Sequence, residues 1–282
     1  MFLRRKQHEQ IILDITAIDK RVIARKKQML DSVFVQQLVQ MRSSTRDKTQ
    51  PILSLELFKH LQFVLDDPKY STIWGDDTTK KHILEDASTI TLPAVLVDEL
   101  NWMLHFDYLY YHSLTVALLV AALSLQIFPD QGQRQRAIFS ALTHDVGITR
   151  IPKSILNKPG TLNPQEFQLI RQHPTYSYLL LAYYFQDVDN VFARTAHVHH
   201  ENALGTGYPR GIEQTDTIAQ MIQICDIYDA LRSARPFRPA MSNEEALQVL
   251  QGDVGKGKLN SEIYTLLLAL VQAETPDMHV SS

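Results

Sequence analysis

The stretch His112-Ser-Leu-Thr-Val-Ala-Leu-Leu-Val-Ala-Ala-Leu-Ser-Leu-Gln-Ile-Phe128 decides the fold. Its apolar run, Ser113 to Phe128, carries no charge and falls short of the ~20 residues that a membrane helix needs. It also starts beside His112. A buried core helix accounts for both features, and such a helix must be surrounded by others. The flanking sequence supplies them. Period-two stretches are few and helical periodicity is common, which predicts an all-α protein.

Working toward the N-terminus, Pro93 to Leu104 reads as a helix, and residues 54–66 as another. Residues 67–91 are mixed and polar, with a turn at Gly75-Asp76-Asp77. Residues 43–51 are polar and end in proline, as a linker or loop does. Ile11, Ile15, Ile18, Val22, Met29 and Val33 step by three, four and seven, which predicts one apolar stripe on a long helix over about residues 8–42. The chain's own core or a dimer seam could cover that stripe. Toward the C-terminus, Asn163-Pro164-Gln165-Glu166 is a cap, a first-turn proline and a reciprocal glutamate. Ser242 and Glu245 repeat that logic. No internal repeat or low-complexity tract is present.

The composition narrows the function classes. The 282 residues are 45% apolar, enough for a sizeable core, and the net charge is −3. A near-neutral balance argues against general DNA binding. Cys225 is the single cysteine, so neither an intrachain disulfide nor a cysteine zinc site can form. A reducing cytoplasmic setting is expected. The segment MFLRRKQHEQ lacks the apolar stretch of a signal peptide, and no membrane span is expected.

Histidine and aspartate recur on successive helical segments. His112 opens the apolar helix, and His144-Asp145 closes the next. His173 is expected near the end of the helix that begins at Pro164. His199 and His200 end a fourth, and Asp226 lies in the apolar run IAQMIQICDIYDAL. Taken singly, a histidine at a helix C-terminus compensates the helix dipole or is merely exposed. Asp226 is harder to set aside, because a carboxylate on an apolar face is costly unless paired or metal-bound. Asp229 reads as a cap or a salt-bridge partner. As a set, five imidazoles and two carboxylates suit two divalent first-row metals that activate water and polarise a phosphoryl oxygen. His199 and His200 lie ~100° apart on a regular helix, so they reach different ions unless the helix unwinds there.

The ordered series DYLYYHS, THDVG, QHP, HVHHE, GTGYPRG and CDIYDALRSARPFR resembles the HD-GYP family, a branch of the HD phosphohydrolases, over about residues 107–250. The resemblance implies an HD-domain helical bundle with an N-terminal helical extension. Residues 1–105 would then regulate or dimerise, 106–275 would form the phosphohydrolase domain, and 276–282 a flexible tail. The implied activity is hydrolysis of cyclic di-GMP, or a related cyclic dinucleotide, to a linear dinucleotide (pGpG), with GMP as a further product. Iron or manganese would fill two sites.

Carried over position by position, the resemblance assigns metal ligands at His112, His144, Asp145, His173, His199, His200 and Asp226, with Asp145 and His173 as the catalytic pair. Gly207, Tyr208 and Pro209 would border the substrate. Gly205 and Gly207 permit close backbone approach or a positive φ. Tyr208 offers a ring face and a hydroxyl, and Arg235 and Arg238 would meet phosphates through paired donors. A homodimer through the N-terminal helices is a further expectation.

Four positions depart from the family pattern. Ile148 replaces a lysine, and an aliphatic side chain cannot offset phosphate charge. Arg150 or Lys153 could substitute. Tyr108 replaces a glutamate that supports a third metal, which favours two. Asn202, Ala203 and Leu204 replace residues that brace the loop, so that bracing is expected to be lost. Ser177 replaces a glycine, and only a packing change is expected there. These departures leave open a catalytically impaired cyclic-dinucleotide receptor, or a phosphohydrolase for another nucleotide.

Overall fold

The computed structural model describes residues 9–41, 51–52, 55–106, 108–234 and 239–273. Arg235, Arg238, Asp107 and the expected tail at 276–282 lie outside these residues. The fold is organised around α6 (Tyr108–Ile127), which is apolar all round and buried along most of its length. That helix begins earlier than the apolar run alone suggested and reaches 20 residues, enough by length to cross a membrane, but 83% of its apolar window is buried inside the protein.

Its largest partner is α7 (Gln131–Thr143), started by Asp130, whose side chain accepts the Gln133 N–H. On its other flanks pack α2 (Leu55–Leu65), α4 (Asp77–Ser88) and α12 (Thr217–Arg232). Short helices α3 (Ser71–Trp74) and α5 (Ala94–Met103) fill the N-terminal side. The helices α13 (Asn243–Gly255) and α14 (Ser261–Gln272) close the C-terminal side. The helices expected over 54–66 and Pro93–Leu104 are thus present as α2 and α5. Both capping boxes form, with Asn163 and Glu166 at the start of α9 (Pro164–Ile170) and Ser242 and Glu245 at the start of α13.

Two expectations fail for identifiable reasons. The helix predicted over 8–42 does not form. Its place is taken by a ribbon of β1 (Ile15–Thr16) and β2 (Val22–Ala24), followed by α1 (Ser32–Gln40). Asp19 caps the turn by accepting the Arg21 N–H. The segment is rich in β-branched residues, which favour strands. Its burial alternates, with Glu9, Ile11, Ile15 and Ala17 inside, so the stripe steps by two rather than along a helix face. That stripe is covered by the chain's own core; Val33 alone of the set stays largely exposed.

The helix begun at Pro164 stops at Ile170, and His173 opens a new one, α10 (His173–Phe185). Pro174 lacks an N–H and its ring would clash with the carbonyl four residues back, so one continuous helix cannot pass through it. A second short ribbon pairs β3 (Pro51–Ile52) with β4 (Leu92–Pro93).

Candidate metal centre

Five elements deliver the predicted ligands to one buried point. His112 projects from the second turn of α6, and His144 caps the C-terminus of α7 with Asp145 next to it. His173 starts α10, His199 caps α11 (Val191–Val198) with His200 following, and Asp226 projects from α12. His144 and His199 are fully buried, and His173, Asp145, His112 and Asp226 nearly so. Three overlapping groups have ligand atoms within 4.8 Å of one another: His112, His144 and Asp226; His144, Asp145 and His199; His173, His199 and His200. All seven predicted ligands therefore meet, and shared residues join the groups into one centre.

The helix ends explain the orientation of the rings. A helix leaves its last carbonyls without N–H partners. His144 Nδ1 lies 2.6 Å from the Ala141 carbonyl, His173 Nδ1 2.8 Å from Ile170, and His199 Nδ1 2.7 Å from Ala196. A carbonyl only accepts, so each Nδ1 carries a proton and each Nε2 is aimed into the centre. His144 Nε2 is buried without a hydrogen bond, and His173 Nε2 lies 3.0 Å from Asp145 Oδ1 and 3.2 Å from His199 Nε2. Neutral imidazole with carboxylate is a donor set for divalent first-row metals, and the residues fit such an ion.

The electrostatics divide the rings: Asp145 raises the pKa of His173 against the effect of burial, whereas His199 and His200 are lowered. Burial pushes the pKa of His200 down to about 3, against the attraction of Asp226, and burial with the other imidazoles also holds His199 well below the usual histidine range. Both rings are therefore neutral. Burial opposes ionisation of Asp145, but His173 and His144 outweigh it and hold its carboxyl well below the usual range. Asp226 is likewise lowered, burial being outweighed by His112 and His200. His199 and His200 act together although adjacent, because α11 ends at Val198; their ring centroids are 4.1 Å apart.

The HD domain family model matches residues 80–263. The chain belongs to the HD domain family. Its motif series places it in the HD-GYP branch. It is 37% identical over 168 residues to a cyclic di-GMP phosphodiesterase of Pseudomonas aeruginosa, covering 57% of this chain and 39% of that protein. It is 32% identical over 164 residues to 3'3'-cGAMP-specific phosphodiesterase 1 of Vibrio cholerae, covering 57% and 38%. A cyclic di-GMP phosphodiesterase of Thermotoga maritima is 35% identical over 120 residues, covering 42% and 33%. The chain thus spans less than two fifths of the length of these relatives.

The GYP turn of this HD-GYP protein is built tightly against the metal centre. A Cβ on Gly207 would lie 2.3 Å from the His200 carbonyl oxygen and 2.6 Å from Glu201 Cα, so only glycine fits. Gly205 has a φ of +62°. Tyr208 stacks on His200 with centroids 4.5 Å apart, and the Arg171 guanidinium lies over the Tyr208 ring at 4.7 Å. The bracing expected to be lost is present in another form. Buried Glu201 accepts the N–H groups of Arg210, Gly211 and Ile212, and Asn202 accepts those of Leu204 and Thr206. Ser177 does more than pack: its hydroxyl accepts the Gly147 N–H at 2.9 Å, anchoring the HD loop to α10.

Ile148 is buried, and neither suggested substitute for the lysine faces the centre. Arg150 is held by Glu99 at 2.5 Å and by the Thr16 carbonyl at 2.8 Å, and Lys153 donates to the His105 carbonyl. Sequence reasoning undervalued Asp229. It accepts from His112 Nδ1 at 2.5 Å, while His112 Nε2 lies 3.0 Å from Asp226. Tyr70 donates its hydroxyl to Asp229, and the Lys69 ammonium lies 3.8 Å away. Asp226 and Asp229 are three residues apart and share a helix face, a signal that marks Asp229 as a partner of the same site. Nothing in the sequence marks Tyr70.

Proposed function

We propose that the chain is a metal-dependent phosphodiesterase that opens cyclic di-GMP, or a related cyclic dinucleotide, to linear pGpG, with GMP as a further product. The observation that carries this reading is the convergence of inward-facing Nε2 atoms and two ionised carboxylates beside a glycine-built turn. The relatives named above as cyclic di-GMP and 3'3'-cGAMP phosphodiesterases support this substrate class. Two divalent ions, iron or manganese, suit a nitrogen-rich set of this size. When bound, they supply Lewis acidity toward a phosphoryl oxygen and activation of water.

The chain's own residues hold and orient. Asp145, flanked by His144 and His173, stays ionised and is the natural carboxylate for two adjacent ions; with His173 it forms the proposed catalytic pair. Burial, with Asp226 and Asp145 nearby, pushes the Tyr208 phenol well above its usual pKa. Tyr208 therefore keeps its proton and can donate it in a hydrogen bond to a phosphate oxygen. Gly207 and Pro209 fix that ring in place. Arg235 and Arg238 are proposed phosphate contacts on sequence alone. The single buried cysteine accords with a cytoplasmic setting.

The deciding experiment is elemental analysis beside turnover on one preparation purified without oxygen. We expect about two metals per chain, the number that a paired site holds, and a linear product from cyclic di-GMP. No turnover with iron or manganese, aerobic or anaerobic, overturns the enzyme reading. The aliphatic Ile148 favours a second reading, a receptor that binds the dinucleotide without hydrolysing it. Metal and binding without product would establish that alternative.

A further inference from the structure

A phosphodiester carries negative charge into the centre, and the described residues offer few cations to meet it. Arg150 is spent on Glu99, and Lys153 reaches away to His105. Lys69 is engaged by Asp229 and by the Ser233 hydroxyl at 3.0 Å. Arg171 differs from all three. It forms no ion pair among the described residues; its guanidinium lies over the rings of Tyr208, at 4.7 Å, and Phe167, at 5.9 Å.

Rings held against the face of a guanidinium leave its N–H edges for another partner. The position is fixed from both sides. Arg171 caps α9, its backbone N–H donating to the Phe167 and Leu169 carbonyls, and His173 starts α10 two residues later. With Gln168, Gln172, Tyr208 and Pro209 it lines a cleft of about 270 Å³, whose carboxylate, Glu9, is already engaged by His197 and by the Thr175 hydroxyl. The Tyr208 ring that carries Arg171 lies with its centroid 4.5 Å from that of His200 and 6.3 Å from that of His173, which places the guanidinium at the rim of the metal centre.

We infer that Arg171 and the Tyr208-Pro209 turn form a phosphate-receiving subsite, in which the Arg171 fork holds a phosphodiester of the dinucleotide. A guanidinium edge matches two phosphate oxygens at once. This inference rests on the phosphodiesterase reading, and it answers how a centre with Ile148 in its HD loop meets substrate charge.

The test compares wild type with Arg171→Met, which keeps an apolar stem against Tyr208 and removes the charge. Three quantities are measured: KM and kcat with cyclic di-GMP, affinity for its bis-phosphorothioate analogue by calorimetry, and bound metal. Arg171→Met should raise KM and weaken analogue binding about 10- to 100-fold, with kcat within a few-fold and metal content unchanged. If the methionine variant does not fold, Arg171→Gln carries the same expectations. Unchanged KM and affinity in the variant, with wild type active, overturn the subsite and leave the phosphodiesterase reading standing. Loss of metal alongside affinity also overturns it, because the arginine would then act through His173. A wild type that neither binds nor hydrolyses the dinucleotide removes the phosphodiesterase reading and the subsite with it.

Discussion

At His112 both ring nitrogens have acidic partners, Asp229 on Nδ1 and Asp226 on Nε2, and the two pairs differ in purpose. Asp226 shares its side of the ring with His144, where a metal fits. Asp229 lies behind, anchored by Tyr70, and holds the ring from its Nδ1 side. Burial disfavours the His112 cation, but the two carboxylates outweigh it and push its pKa up to about 10. A carboxylate behind a ligating histidine sets ring orientation and basicity, and its loss typically costs 10- to 100-fold in metal affinity. Asp229→Asn should therefore weaken metal binding about 10- to 100-fold in a chelator competition, and Tyr70→Phe should do so by less. Equal affinity in all three proteins would show the pair to be structural only. The seven residues gathered at the centre were legible as an ordered set that resembles a known series, although each histidine taken singly reads as an ordinary helix-end residue. Asp229 was legible only as a spacing, and Tyr70 not at all, because it comes from a separate short turn, Pro68–Tyr70, brought in by tertiary packing.

At the scale of elements, the centre is made of helix ends. Three carbonyls left over at the ends of α7, α9 and α11 fix three imidazoles, so the same backbone feature stops each helix and aims each ring. The two capping boxes could be read from four-residue patterns, since their partners are local. The Pro174 break and the N-terminal ribbon could not be read from apolar spacing. Isoleucines at positions 11 and 15 fit a helical step of four as well as a strand step of two, and the choice falls to β-branching and to what covers them. The GYP turn shows the same dependence on a partner, because Gly207 lies against backbone atoms that cannot give way. Gly207→Ala should push the turn off the end of α11, cost about 1–3 kcal/mol as overpacking does, and displace Tyr208 from His200. Urea denaturation with a near-ultraviolet signal from the tyrosines would register both effects. A variant as stable as wild type with an unchanged signal would mean that the turn is looser than its geometry implies.

Across the whole molecule, one hydrophobic cluster runs from Ile11 to Val271 and includes residues on both sides of position 105, where a boundary between a regulatory region and a catalytic domain was expected. Polar ties cross the same position. Glu9 is buried and pairs with His197 at 3.0 Å, and the Ile18 N–H donates to the Tyr184 hydroxyl at 3.0 Å. Glu99 receives Arg150. His197 lies on α11 two residues before His199, so the N-terminal ribbon and the metal centre share a helix. A core and ion pairs that cross the expected boundary tie the stability of the two sides together. Calorimetry should therefore show a single transition, with calorimetric and van't Hoff enthalpies equal. Metal should shift that transition as a unit. Without it, the imidazoles and carboxylates of the centre remain in the interior, whereas an ion held at a thousand times its Kd contributes about 4 kcal/mol. For a chain of this size that amounts to a fall in Tm of about 7 °C on chelation. Two transitions, with only the later one sensitive to chelator, would instead show that residues before 105 form a unit of their own resting on the catalytic bundle.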